Sequence, residues 1–205
     1  MTKFISFEKW VGKSSKDLKD GEILFDIDED YWPSGKLNYK KIYHYTNNYE
    51  SPGLILHEGY YENGKIQFRI DFQNGISERW HENGQLHYRI YFIRHATSHG
   101  TREYWYENGI LSERGFYQDG SREGIQEGWT KDGKLSYKCN YSKDMEHGIQ
   151  QKWDDDGKLI ETYYLNGKEV PKIEFKNYKK DLGQKISNEL NLNEKSLNDI
   201  IMEYL

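Results

Sequence analysis

Residues 80–86 read Trp80-His81-Glu82-Asn83-Gly84-Gln85-Leu86. The same pattern returns at Tyr31–Leu37, Tyr60–Ile66, Trp105–Leu111, Trp129–Leu135 and Trp153–Leu159. Its glycines are Gly35, Gly64, Gly84, Gly109, Gly133 and Gly157, spaced 29, 20, 25, 24 and 24 residues apart. The residue before each glycine is Ser34, Asn63, Asn83, Asn108, Asp132 or Asp156. Short polar side chains of this kind bond their own backbone in turns. The glycine supplies the positive φ that a tight hairpin turn with a bulge requires. Four residues before every one of these glycines stands an aromatic ring, and two residues after it stands Leu or Ile. A tight turn brings those two opposite each other, an aromatic–aliphatic cross-strand pair that contributes ~0.2–1 kcal/mol. Six hairpins are therefore expected.

What joins the hairpins reads the same way. A second glycine (Gly75, Gly100, Gly124, Gly148) precedes the aromatic by five residues in four units and is expected in the return turns. After each anchoring glycine comes a strand such as Lys134–Tyr141, in which Leu135, Tyr137, Cys139 and Tyr141 alternate with period two. No helical period interrupts residues 23–168. The expected fold is mainly β, an elongated antiparallel meander sheet of about six hairpin repeats.

Composition agrees once the repeat is seen. The 205 residues are 35 % hydrophobic and 31 % charged, with net charge −5. Ordinary domains are ~45–50 % apolar with glycine included, and low hydrophobicity with high charge usually means disorder. Yet the chain carries 18 Tyr, 8 Phe and 6 Trp, the rings that disordered chains lack. No apolar run approaches the ~18–20 residues of a membrane-spanning helix. Residues 1–12 lack the charged-then-apolar pattern of a secretory signal. The lone Cys139 forms no internal disulfide and fits a reducing compartment. Lys and Arg are scattered, so nucleic acid is not an expected partner.

Two charged columns follow the repeat. Glu29, Glu58, Glu78, Glu103, Glu127 and Gln151 lie two residues before the aromatics. Lys40, Arg69, Arg89, Arg114, Lys138 and Thr162 lie five residues after the glycines. They read as a salt-bridged solvent face or as a binding strip. The column Trp80, Trp105, Trp129 and Trp153 is expected to form a thin core. A second column, Tyr39, Phe68, Tyr88 and Tyr137, interrupted by Glu113 and Glu161, belongs to that core or lines an open groove. The candidate interaction surface is Tyr39, Phe68, Tyr88 and Tyr137 with Arg69, Arg89 and Arg114.

The unit aromatic-x-x-Asn/Asp-Gly-x-Leu, with its second glycine, resembles the MORN repeat (membrane occupation and recognition nexus). It is closest to the variant form of bacterial antitoxin-type proteins and giant-DNA-virus proteins. The resemblance spans residues 29–168, with departures at Ser34, at the long 46–59 excursion and at 93–99. It places the protein in the cytoplasm, or in a virion if viral. The repeat, the lack of a catalytic constellation and the surplus of rings lead to a non-enzymatic scaffold that binds another protein. A viral structural or accessory role is one setting and an antitoxin-like partner of a toxin another. A peripheral module binding acidic lipids through the Lys/Arg column is the alternative class. No cofactor is expected.

The ends change character. Residues 1–28 are expected to cap the array, with Asp20-Gly21 as a decayed repeat, and 169–205 to form a helical C-terminal cap. Within it, one helix is expected from Pro171 to Asp181, ending near Gly183, a further turn at Ile186–Leu190, and a second helix from Ser196. Other candidate chemistry is thin. His95 and His99 have a zinc-like i, i+4 spacing but no third ligand. Cys139 aligns with Ile70 and Ile90 as a sheet-facing hydrophobe. Asp154-Asp155-Asp156-Gly157 matches the hairpin turn of its neighbours and lacks the rest of a calcium loop. No catalytic, cofactor or metal residues are assigned.

Overall fold

The computed structural model describes residues 3–6, 22–45, 53–93 and 99–190. The chain divides into two compact units, Met1–His95 and Ala96–Leu205. In the first unit β1 (Lys3–Ser6) lies parallel to β2 (Glu22–Tyr31). An antiparallel run then follows in chain order through β3 (Leu37–Tyr45), β4 (Gly53–Tyr60), β5 (Ile66–Asp71), β6 (Ile76–Trp80) and β7 (Leu86–Tyr91). The second unit continues the same scheme with β8 (Gly100–Trp105), β9 (Leu111–Gln118), β10 (Ser121–Trp129) and β11 (Leu135–Ser142). Beyond it come β12 (Met145–Glu146), β13 (Gly148–Trp153), β14 (Leu159–Leu165) and β15 (Lys168–Val170), then the helix α1 (Lys172–Leu190). The fold is the expected meander with a C-terminal helix. The parallel β1 is an addition to it.

All six hairpins pair as the repeat dictates. Tyr31 faces Leu37, Tyr60 faces Ile66, Trp80 faces Leu86, Trp105 faces Leu111, Trp129 faces Leu135 and Trp153 faces Leu159. Each turn closes on two backbone bonds. In the fourth, Tyr106 N–H donates to the Ile110 carbonyl (2.9 Å) and Gly109 N–H to the Tyr106 carbonyl (2.9 Å). The Asn108 Oδ1 accepts from Ile110 N–H (3.1 Å), the local side-chain bond that asparagine was expected to make. Gly109 sits at φ 82°, where an L side chain is strained.

Five hairpins carry a bulge just before the aromatic, and the sixth does not. Gln151 therefore pairs with Glu161, and Thr162 stands opposite Gln150. The charged column of the sixth unit is displaced by one residue from its expected place.

The return turns also correct the expectation. Gly75 lies in the turn between β5 and β6, but Gly124 is inside β10, and Gly100 and Gly148 open β8 and β13. The chain reverses instead at Asp119-Gly120, Lys143-Asp144 and Asn166-Gly167, all six residues having positive φ. That is the requirement of a two-residue type I′ turn, whose twist matches that of the strands it joins. Longer hairpin arms leave Gly124 at an irregularity, where the β9–β10 register shifts between Glu123 and Gln126.

Among the described residues a second layer is found only at the C-terminal end. Phe175 of α1, 2 % exposed, meets Tyr163 of β14 with ring centroids 5.4 Å apart, and Val170 closes the cluster with Ile149 and Leu165 beside it. The helix runs through Gly183 as a single piece, where two shorter segments were expected. Glycine costs about 1 kcal/mol in a helix interior. Here Gly183 is buried within the helix. The Trp columns are half-buried, not the core expected of them. Among the described residues the buried hydrophobics are Cys139, Tyr163, Val170 and Phe175 alone. No helix among the described residues is long and apolar enough to cross a membrane. Asp20-Gly21, His95 and the Ser196 helix lie outside the described residues.

Candidate functional site

Directly paired residues of an antiparallel sheet share a face, and successive residues alternate. In each unit this sorts the side chains onto two faces. One carries the aromatic–aliphatic pairs and the charges. The other carries the Tyr/Phe column. The seven candidate interaction residues are thereby divided. Arg69, Arg89 and Arg114 lie on the first face of their units, and Tyr39, Phe68, Tyr88 and Tyr137 on the opposite one.

On the charged face the two columns merge into one alternating ladder. In the first unit Glu29, Lys40, Glu58, Arg69, Glu78 and Arg89 are successive cross-strand partners. In the second, Glu103, Arg114, Glu127, Lys138 and Gln151 follow suit. Contacts include Arg69–Glu58 at 2.7 Å, Arg89–Glu78 at 2.8 Å, Arg114–Glu127 at 2.8 Å and Lys138–Glu127 at 3.3 Å. Glu58 is only 7 % exposed, and its second oxygen accepts from the Tyr60 hydroxyl (2.8 Å). Burial and that bond to Glu58 push the Tyr60 phenol up to about 12. Burial would raise the Glu127 carboxyl, but Arg114 and Lys138 outweigh it and hold it low. The guanidinium of Arg114 also lies 5.6 Å from the ring centre of Trp129, and that of Arg69 6.0 Å from Trp80.

Three hairpin tips are tied to the next by the side chain after the aromatic. Trp32 Nε1 donates to the Tyr60 carbonyl (3.1 Å), Tyr61 Oη to that of Trp80 (2.8 Å) and Tyr106 Oη to that of Trp129 (2.8 Å). Sequence reasoning missed this link. The signal was an enrichment in rings one residue after the aromatic: Trp32, Tyr61, His81 and Tyr106.

The tyrosine face holds a second aromatic column that was also missed. Tyr43, Phe72, Phe92, Tyr117 and Tyr141 stand eight residues after the turn glycines, the same period as the first column. Phe72 meets Phe92 edge-on at 6.1 Å. Arg102 lies over Tyr117 at 3.7 Å and Arg122 over Tyr141 at 4.0 Å, in the range of cation–π attraction. The first column is seated on glycine. A Cβ at Gly59 would fall 2.1 Å from the Phe68 ring, and one at Gly128 would fall 2.0 Å from the Tyr137 ring. In the second unit this face opens into a groove of about 230 Å³ lined by Glu113, Gln126, Tyr137, Cys139 and Lys152 among others. On the tyrosine face of the first unit Tyr39, Phe68 and Tyr88 are half-buried, as Tyr137 is in the second, without forming a closed core.

Among the described residues no catalytic constellation assembles in either unit. Burial pushes the Cys139 thiol up, away from the nucleophilic thiolate. His99 approaches the Asp119 carboxylate at 3.9 Å. Among the described residues no three His, Cys, Asp or Glu side chains converge as metal ligands. Asp154 serves its turn, its carboxylate accepting from Lys158 N–H at 2.8 Å.

Comparison with known proteins bears on these faces at the level of family. The MORN repeat variant model matches residues 56–74, 73–94, 98–119, 122–143 and 146–166, just over half of the chain. Each match contains one hairpin tip. The hairpin at Tyr31–Leu37, with Ser34 in place of Asn, lies outside the matches but has the same cross-strand pair. No curated protein matches the chain. Among solved structures, the accessory secretory protein 1, 2 and 3 assembly of Streptococcus pneumoniae is 14 % identical, with a TM-score of 0.20 over 86 % of this chain and 26 % of that one. A protein of unknown function from Bacteroides fragilis is 14 % identical, with a TM-score of 0.18 over 75 % of this chain and 95 % of that one. The chain thus spans about a quarter of the length of the streptococcal chain, and neither likeness carries further weight. The repeat pattern, its six matching hairpins and the five matched segments together place this chain in the MORN repeat variant family.

Proposed function

We propose that the protein is a non-enzymatic scaffold that binds another protein across the charged face of its repeats. The observation that supports this is the single-layered sheet. Outside the contact of α1 with β14, the described residues place no second layer over the Trp columns. An aromatic sheet face that the described residues leave uncovered is suited to a partner, since Trp, Tyr and Arg dominate interface energetics. On the second unit Phe116 and Ile125 add exposed apolar surface to this face, at 39 % and 49 % exposure. Their neighbours Arg114 and Glu127 are already paired with each other.

The same ladder weighs against a lipid surface. Each basic residue of the column that would meet acidic headgroups (Lys40, Arg69, Arg89, Arg114, Lys138) has a Glu as its cross-strand partner. Adsorption of basic segments, at ~1 kcal/mol per residue, depends on unneutralised charge near the surface. The test is cross-linking mass spectrometry in the native source, comparing the natural chain with a Phe116→Glu/Ile125→Glu variant. Cross-links from Lys138 to one protein, lost in the variant, are expected. Persistence of the same cross-links in the variant, or flotation of the chain with acidic liposomes, overturns the reading.

A further inference from the structure

The charged face has an outer apolar row beyond its ladder. Four residues before each tip aromatic stands Ile27, Leu56, Ile76, Thr101, Ile125 or Ile149, a branched side chain in every unit. Each lies two residues from its ladder Glu or Gln along the same strand, hence on the same face. In the sixth unit the chain roofs this row itself. Ile149 pairs with Tyr163, and both pack in the cluster that Phe175 of α1 closes. The helix follows β14 in three steps. Lys172 reaches the Glu161 carboxylate (3.5 Å), Phe175 meets Tyr163, and Tyr178 lies edge-on to His147, which accepts from Asn166 N–H just past the strand. One hairpin back, Ile125 is exposed in the same row, with Phe116 beside it.

The ladder says which helix fits there. Arg69 stands between Glu58 and Glu78, and Arg114 between Glu103 and Glu127. Gln151 breaks that alternation. It leaves Glu161 opposite a neutral amide, and α1 supplies the missing cation through Lys172. On the other side of Gln151, Lys138 has Glu127 at 3.3 Å, a carboxylate that it shares with Arg114. The mirror-image deficit is a carboxylate for Lys138.

We infer that Ile125 and Phe116 dock an amphipathic helix of a partner protein, with an acidic residue three positions before a large apolar one. The acid meets Lys138 as Lys172 meets Glu161, and the apolar side chain seats on Ile125 as Phe175 seats beside Ile149. One hairpin spans two strands, about 9–10 Å. Helices pack ~8–10 Å apart, so this helix lies alongside α1 without displacing it. The inference rests on the scaffold reading and adds the chemistry of the partner.

The probe is a capped peptide of residues 172–190 with Lys172→Glu, titrated by fluorescence anisotropy against the full chain. The natural-sequence peptide is its control. The chain's net charge of −5 favours the control by non-specific attraction, so the opposite preference is diagnostic. The Glu peptide should bind saturably, about two- to fivefold tighter than the control, the range of a half-exposed ion pair. Lys138→Gln in the chain should erase that preference. Ile125→Ser in the chain and Phe175→Ala in the peptide should each weaken binding by roughly tenfold or more. Ile125→Ser is checked for an unchanged unfolding transition; if it does not fold, Lys138→Gln and the Phe175→Ala peptide decide.

The inference is overturned if neither peptide binds, or if the preference is absent or survives Lys138→Gln. It is also overturned by a rival occupant. A dimer that Ile125→Ser dissociates marks a second copy of the chain, and tighter peptide binding in Leu197→Glu/Ile201→Glu marks the chain's own C-terminal residues. A failed peptide test with the native-source cross-links intact removes the helix and leaves the scaffold reading standing; absent cross-links remove the scaffold reading.

Discussion

Gly128→Ala tests how the tyrosine face is built. The added Cβ would lie 2.0 Å from Tyr137 Cε1 and 2.6 Å from both Cδ1 and Cζ. Carbon atoms sit comfortably at about 3.5–4.0 Å, so the ring must retreat by roughly 1.5 Å. The backbones cannot part easily, because Gly128 pairs with Tyr137 and Glu127 with Lys138 in the ladder. The ring has to swing off the sheet or strain its rotamer. Overpacking of this kind costs ~1–3 kcal/mol. Ala also lowers the entropy of the unfolded chain relative to Gly, which stabilises by ~0.4–1 kcal/mol. The net expectation is a loss of about 1–2 kcal/mol.

The assay is urea unfolding of the full chain followed by tryptophan fluorescence and circular dichroism, with Tyr137→Ala and the double variant completing a cycle. With the ring gone, Gly128→Ala should turn neutral or slightly stabilising. An equal cost in both backgrounds, or none in the natural one, refutes the steric account. Gly59, 2.1 Å from the Phe68 ring, offers an independent repetition in the first unit.

Arg69→Ala should cost more than Lys40→Ala, about 1–2 kcal/mol against under ~0.5, because Glu58 is buried while Glu29 is open to water that screens it; chemical denaturation of the two variants compares them. Glu127 is held below its ordinary value of 4.5, so its ionised form favours the folded state. That contribution is present above about pH 4.5 and is lost as pH falls through the depressed value. Glu127→Gln should therefore destabilise at pH 7, with the gap to the natural chain narrowing as pH falls below 4.5; a gap that does not narrow would refute the linkage. Tyr106→Phe removes the 2.8 Å bond to the Trp129 carbonyl and should cost ~0.5–1.5 kcal/mol in thermal unfolding, with an unchanged far-ultraviolet spectrum.

The six hairpins were legible because their signals are local. A glycine at positive φ, an asparagine bonding two residues onward and a ring opposite an aliphatic all act within seven residues. The period then placed the Glu and Lys/Arg columns in register, which left open whether they form a salt-bridged face or a binding strip. That determination reached as far as the turn chemistry is written in residue type. Asp119-Gly120 and Asn166-Gly167 are familiar turn pairs, but Lys143-Asp144 adopts the same conformation without a glycine, imposed by the strands on either side.

Only the tertiary structure decided the faces. Arg69 and Arg89 stand on the opposite face from Phe68 and Tyr88 by simple alternation along one strand, whereas the bulge shifts parity by one residue and puts Ile66, Leu86 and Leu135 on the other face from Phe68, Tyr88 and Tyr137. It is also why the sixth unit, lacking the bulge, puts Glu161 where Thr162 was expected. The helix α1 likewise continues through Gly183, and the groove on the tyrosine face is lined by residues of four strands, β9, β10, β11 and β13, which no single repeat betrays. Local propensity wrote the hairpins. Which side of the sheet each residue occupies, and what space remains there, depends on registers and volumes summed across strands.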